Sequence, residues 1–261
     1  MAIHKVIHYC WFGDNPIPKR LQFCIKSWKK LMPEYTFKLW NEENTKFDCD
    51  FIKTAYAAKK WAFVADYVRI KAVYDFGGIY MDTDMLLLKP LDDFLDNECF
   101  FVAEHSLSIG VGVFGALKHN LFIKLCLDTY FVKGVVLSTS PKRVTNTYLN
   151  VYNAEKKFDG TIHVEGLTIY KPGYFYALPY KKLYDIHHYK KYLTEESYGV
   201  HLWEGSWNNY SELMLLRRKE YRKAIKKIGN TIFTERKLNG VYLKKVLIAL
   251  KDSLKTKNAF K

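Results

Sequence analysis

The chain has 261 residues, 49% hydrophobic and 26% charged, which is enough for one large α/β domain with or without an appendage and excludes wholesale disorder. Its net charge of +14 is unevenly placed: residues 210–261 hold 15 Lys and Arg against 4 Asp and Glu, whereas residues 1–209 hold 26 against 23. A near-neutral body argues against a nucleic-acid enzyme with a basic groove across its fold, and without an apolar run of 18 residues no transmembrane helix is expected.

Met1 to His8 lacks the long apolar stretch of a signal peptide and reads as the start of a strand. Val6 to Phe12 is apolar and β-prone, and Gly13-Asp14-Asn15-Pro16 stops it. Arg20 to Leu31 carries apolar residues at helical spacing, ended by Pro33, and Tyr35 to Trp40 is a second strand. This β-α-β order predicts a parallel pairing. Ala55 to Asp75 reads as one helix, rich in alanine and striped by Trp61, Val64, Val68 and Ala72. Gly77-Gly78 ends it, and Ile79-Tyr80-Met81 is a short buried strand running into Asp82-Thr83-Asp84. Phe100 to Glu104 and Gly110 to Phe114 read as strands and Asn120 to Tyr130 as a helix. Residues 131–190 read as short strands broken by Gly and Pro turns, with His187 and His188 as ordinary loop residues. Val200 to Trp203 is a last strand. Glu212 to Ile228 and Val241 to Leu254 read as two basic amphipathic helices. The five cysteines contain no CxxC pair, so neither a disulfide framework nor a zinc site is expected, and the cytosol is the natural compartment.

Asp82-Thr83-Asp84 is the constellation that carries chemistry. Residues i and i+2 of a strand point the same way, so both carboxylates aim into the crevice beyond the strand's carboxyl end, where open α/β sheets bind ligands. Two carboxylates held together repel unless a cation neutralises them, and an open oxygen-donor site suits Mg²⁺ or Mn²⁺ bound with substrate phosphates. Asp66 and Arg69, three apart, share one face of the preceding helix, joined to this strand by only two glycines. Arg69 can reach an acidic neighbour or a sugar hydroxyl, and Asp66 can accept from hydroxyls.

These residues form a familiar pattern. Ile7-His8-Tyr9-Cys10-Trp11-Phe12-Gly13 resembles the opening of the bacterial capsular-polysaccharide glycosyltransferases of family 32. So does Ala62-Phe63-Val64-Ala65-Asp66-Tyr67-Val68-Arg69, followed by Tyr74, Gly77-Gly78-Ile79-Tyr80, Asp82-Thr83-Asp84 and Lys89-Pro90-Leu91-Asp92. The run is also similar to the sugar-binding core of yeast α-1,6-mannosyltransferases and, more remotely, to the glucosylating domain of large clostridial toxins. The resemblance covers residues 3–209.

The resemblance implies a GT-A-like, Rossmann-related mixed sheet flanked by helices. It further implies retaining transfer of a hexose from a nucleotide-sugar, a UDP-sugar such as UDP-galactose, and a divalent cation, Mn²⁺ or Mg²⁺. Trp11 would stack on the nucleobase beside the backbone of Cys10. Trp61, Asp66, Arg69 and Tyr80 would line the donor pocket, with Asp66 and Arg69 on the sugar hydroxyls. Asp82, Thr83 and Asp84 would handle ribose, diphosphate and metal. His201-Leu202-Trp203-Glu204-Gly205-Ser206-Trp207 resembles the family's closing segment, although Val200 stands where a second His is usual. From it His201 is the expected third metal ligand, Glu204 the competitor, and Ser206 and Trp207 the residues that close over the diphosphate.

The resulting expectation is a glycosyltransferase body, residues 1–209, with a basic helical extension, residues 210–261. The acceptor would be a lipid-diphosphate-linked glycan of a capsular or surface polysaccharide. The extension would hold the enzyme peripherally at the anionic inner face of the plasma membrane, each basic residue contributing about 1 kcal/mol. Its apolar face would either lie in the lipid or pack on the domain and leave only charges to meet it. The rival readings are a haloacid-dehalogenase-like phosphatase, whose strand-terminal Asp-x-Asp normally opens the domain, and a non-catalytic glycan- or nucleotide-sugar-binding protein.

Overall fold

A computed structural model describes residues 1–132, 138–204, 210–233 and 239–260. The chain divides into two compact units, Met1–Ala177 with Thr194–His201, and Leu178–Leu193 with Leu202–Lys261.

The first unit is built on a seven-stranded sheet. Strands β1 (Val6–Cys10), β2 (Thr36–Trp40) and β3 (Gly78–Met81) are parallel, with β1 in the middle. Beyond β3 lie β6 (Ser108–Ala116), antiparallel to it, then β5 (Cys99–His105), β8 (Leu167–Tyr170) and β7 (Ile162–Val164). The result is the mixed α/β sheet flanked by helices that the sequence implied. β4 (Met85–Leu87) does not continue β3. It pairs antiparallel with β9 (Gly199–His201) in a separate two-stranded sheet.

Three helix assignments differ from the sequence reading. Ala55 to Asp75 is not one helix but two, α2 (Asp50–Ala57) and α3 (Trp61–Phe76). Between them Lys59 takes φ of 52°, and the Lys60 N–H turns back to the Ala55 carbonyl. Alanine propensity is blind to such a turn. Helix α5 (Ser140–Tyr152) occupies what read as strand and turn, with Pro141 in its first turn and Val144, Thr145 and Thr147 inside it. Those β-branched residues weaken the helical signal that packing restores. Glu212 to Ile228 likewise breaks into α6 (Glu212–Arg217) and α7 (Tyr221–Phe233), with Lys219 at φ 60°. The remaining helices, α1 (Lys19–Leu31), α4 (Leu121–Asp128) and α8 (Gly240–Lys255), lie where periodicity placed them.

Helix α3 is buried across β1, β3 and β6, with α2, α4 and α5 packed around it. Its end is held by the glycine pair. Gly77 and Gly78 have φ of 65° and 94°, and a Cβ on Gly78 would stand 2.7 Å from the Val6 carbonyl oxygen. Only glycine permits that backbone approach, which sets α3 and β3 against β1.

His8 locks the same junction. It is fully buried, its Nε2 lies 2.9 Å from the Gly77 carbonyl, and its Nδ1 accepts from the Trp40 indole at 3.1 Å. Burial pushes its pKa down to about 4, with the Lys38 charge adding to the effect and the Gly77 carbonyl opposing it. The unfolded chain protonates near pH 6.5 and the folded chain only near 4. Stability from His8 is therefore full above pH 6.5 and is lost as pH falls towards 4, by about 3 kcal/mol at most. Urea unfolding of wild type and His8→Gln at pH 7, 5.5 and 4.5 is expected to show the gap between them closing with acid. A gap constant across that window would contradict the assignment.

In the second unit, Leu215, Leu216, Ala224 and Ala249 form a small core. Arg218 is completely buried there, paired with Glu204 and Glu220, and stacked at 4.5 Å on the Tyr210 ring. His187, read as a loop residue, is buried in the same unit, and its Nε2 donates to the Arg218 carbonyl.

Candidate active site

β1 and β3 are neighbouring parallel strands, so Cys10-Trp11 and Asp82 leave the sheet at the same carboxyl edge. Trp11 is half-buried rather than part of the core, with its indole N–H on the Asn15 carbonyl at 2.7 Å. Cys10 is buried, and burial pushes its thiol up to about 12, which excludes it as a nucleophile at neutral pH. Trp61 opens α3, its indole lying against the backbone of Gly13.

Asp82, Thr83 and Asp84 do not converge by strand alternation, as their spacing implies. β3 stops at Met81 and the Met85 N–H closes a turn onto the Asp82 carbonyl. That turn carries the chain from one sheet to the other, and the partner strand β9 delivers His201. His201 Nε2 lies 3.1 Å from Asp84 Oδ1 and 3.9 Å from Asp82 Oδ2. One donor atom from each of the three lies within 4.8 Å of the others. Burial opposes charge on His201, yet Asp84 and Asp82 hold its pKa above the usual imidazole value.

Arg69 is the hub behind this cluster. It is 5% exposed, and its Nη1 binds Asp82 Oδ1 at 3.1 Å and donates to the Val111 carbonyl at 3.0 Å. Its Nη2 lies 3.3 Å from Asp66 Oδ1, and its guanidinium sits 4.8 Å over the Tyr80 ring. Tyr80 donates its own hydroxyl proton to Asp82 Oδ1 at 2.9 Å. Asp66 is buried, which raises its carboxyl against the opposing pull of Arg69, and its Oδ2 accepts from the Ser140 N–H at 3.0 Å. Asp66 thus anchors the start of α5 as well as Arg69.

Sequence reasoning passed over Gly112 and Tyr176. β6 bulges here: Phe101 pairs with Phe114 and Val102 with Gly110, so Val111 to Val113 have no partner in β5. The freed backbone serves the site. Gly112 O accepts from the Asp82 N–H at 2.8 Å, and Gly112 N donates to the Tyr176 hydroxyl at 3.0 Å. A Cβ on Gly112 would stand 3.1 Å from Asp82 Oδ2 and 3.5 Å from His201 Nε2. The missing side chain leaves room beside the donor atoms. Gly-Val-Gly inside a strand is the signal that could have pointed to a bulge, whereas nothing in the tyrosine-rich stretch singles out Tyr176. Its ring packs 5.2 Å from that of His201. Glu204 lies in the second unit, paired with Arg218. Ser206 and Trp207 lie outside the described residues.

A family model described as "Glycosyltransferase sugar-binding region containing DXD motif" matches residues 18–101, and one described as "Alpha 1,4-glycosyltransferase conserved region" matches residues 116–227. The chain is similar to glycosyltransferases. Human alpha-1,4-N-acetylglucosaminyltransferase is 28% identical over 159 residues, 57% of this chain and 45% of that protein. Inositol phosphoceramide mannosyltransferase 3 of Schizosaccharomyces pombe is 31% identical over 133 residues, 47% of this chain and 35% of its own. The chain thus spans less than half the length of these relatives. Among solved structures, the galactosyltransferase LgtC with donor and acceptor sugar analogs superposes with a TM-score of 0.44 at 13% identity, covering 92% of this chain and 99% of its own.

Proposed function

We propose that the chain is a retaining, metal-dependent glycosyltransferase moving a hexose from a nucleotide-sugar, a UDP-sugar such as UDP-galactose, to a glycan acceptor in capsular or surface polysaccharide synthesis. The observation that carries this reading is the meeting of Asp82, Asp84 and His201 at the carboxyl edge of β3, one strand from Trp11, with both aspartates inside the region matched by the sugar-binding family model and His201 inside the region matched by the alpha 1,4-glycosyltransferase model. Two carboxylates and an imidazole, with open space at Gly112, fit a divalent cation, and the imidazole favours Mn²⁺ over Mg²⁺. Asp82, Asp84 and His201 would hold the cation, which would supply Lewis-acid stabilisation of the departing diphosphate.

The protein's own groups divide the remaining work. Arg69 and Tyr80 hold Asp82 in place, Asp66 fixes Arg69, and Trp11 stacks on the nucleobase with Trp61 beside the same loop. Thr83 lies at the diphosphate, and Ser206 and Trp207 close over it. The acceptor hydroxyl attacks from the side of the leaving group, whose phosphate takes the proton. Residues 1–209 carry this chemistry. Residues 210–261 hold the enzyme at the anionic inner face of the plasma membrane, where a lipid-diphosphate-linked acceptor resides.

A thermal-shift screen of nucleotide-sugars with Mn²⁺, followed by turnover of those that stabilise the fold, tests the reading. Release of nucleoside diphosphate with sugar transfer is the expected result. Release of inorganic phosphate would turn the reading to a phosphatase, and binding without release to a binding protein. Within that assay Trp11→Ala is expected to weaken nucleotide affinity by roughly 1–3 kcal/mol while sparing saturated turnover, because stacking binds ground and transition states alike. Unchanged affinity in a folded variant would remove Trp11 from the nucleobase.

A further inference from the structure

Helix α8 carries two apolar stripes, and the core of its unit uses one. Ala249 and Ser253 are buried, with Val246 and Leu250 packed on the same core. Leu243, Leu247 and Leu254 lie a step round the helix and are 44%, 64% and 69% exposed. At the α-helical repeat these three fall within about 40° of one another. Lys244, Lys251 and Lys255, all exposed, run along the adjoining edge, and Leu247 and Leu254 line a shallow open groove with Lys251 and Lys255.

The charges choose among occupants. α8 holds four lysines and a single acid, Asp252, which faces Arg217 at 3.7 Å. A second copy of the helix would set lysine against lysine. A polar anion alone would leave the leucines in water. A surface that is anionic above and apolar a few ångströms below satisfies both stripes, and long lysine side chains reach its headgroups while their stems stay beside the leucines.

We propose that α8 docks the protein on an anionic bilayer by inserting Leu243, Leu247 and Leu254 at the headgroup–acyl boundary, with Lys244, Lys251 and Lys255 on lipid phosphates. The proposal rests on the reading of a membrane-side acceptor and deepens it, by naming the element that touches lipid and the depth at which it sits. Of the two dispositions open to the extension, α8 adopts both: one stripe packs and the other inserts.

The test uses the full chain and vesicles of phosphatidylcholine with and without phosphatidylglycerol. All five native cysteines are buried, so an environment-sensitive thiol fluorophore placed at Leu247→Cys reports that position selectively. Its emission is expected to shift to the blue with anionic vesicles and to stay unchanged with neutral ones. The triple variant Leu243→Ser, Leu247→Ser, Leu254→Ser is expected to lose about tenfold or more in vesicle affinity, with unchanged circular dichroism. Co-sedimentation without the emission shift overturns insertion. Equal binding to both vesicles overturns the anionic requirement. A dimer abolished by the triple variant reassigns the face to self-association. Transfer to a soluble acceptor is measured in parallel: its absence in wild type overturns the transferase reading and leaves the vesicle result standing.

Discussion

Asp84→Asn is expected to abolish transfer while leaving the fold intact. Asp84 is 8% exposed and its Oδ1 stands 3.1 Å from His201 Nε2, so the amide that replaces it keeps the shape but surrenders the charge. The fold does not depend on that charge, because β4 and β9 stay paired through Met85–His201, Leu86–Val200 and Leu87–Gly199. Transfer is expected to depend on it. Removing one charged ligand oxygen withdraws several kcal/mol from stabilisation of the leaving diphosphate, a fall on the order of a thousandfold in turnover. Isothermal titration with Mn²⁺ in the absence of donor is expected to show the same loss of affinity. Wild-type turnover in the variant, or full wild-type turnover in excess EDTA, would remove the metal role from this cluster.

Arg69→Met is expected to damage both stability and activity. The guanidinium is the countercharge of Asp66 and Asp82 at once, buried with Asp66 while Asp82 is partly exposed. Deleting one member of a buried charged set leaves its partners uncompensated, at a cost of about 3–5 kcal/mol. Asp66 keeps the Ser140 N–H but loses its cation, so its already raised carboxyl pKa rises further, and the variant loses more stability as pH climbs from the ordinary carboxylate value towards that raised one. Asp82 keeps Tyr80, its backbone bonds to Gly112 and Met85 and the more distant His201, but loses its charged partner Arg69, and turnover is expected to fall with its placement. Arg69→Lys is the control that folds: it restores charge but cannot span both carboxylates and the Val111 carbonyl, so stability is expected to recover more than turnover. Chemical unfolding and Mn²⁺ titration measure the two effects separately. Arg69→Met with wild-type stability would show that Asp66 and Asp82 do not need this cation.

Much of the body was legible because its signals are local. Apolar periodicity located α1, α4 and α8, Gly77-Gly78 marked the end of α3, and Ile79-Tyr80-Met81 was buried strand on composition alone. The Asp82-Thr83-Asp84 spacing, read with Asp66 and Arg69, located the candidate site. These features depend on residues within a turn or two of one another.

What only the tertiary structure decided depends on residues far apart in the chain. Gly110-Val111-Gly112 hints at a bulge, but nothing near it tells that β6 hands its backbone to Arg69, Asp82 and Tyr176, because the bulge exists only against β5. His201 joins Asp84 through the pairing of β9 with β4, across more than a hundred residues. By sequence Arg69 can reach an acidic neighbour or a sugar hydroxyl, and only the fold shows which neighbours it has: Asp66, Asp82 and the Val111 carbonyl. α5 and the breaks at Lys59 and Lys219 were hidden because packing and turn hydrogen bonds outweigh propensities of a few tenths of a kcal/mol per residue. Residue types and short spacings determined which chemistry this chain can support, and long-range strand pairing decided which atoms stand close enough to perform it.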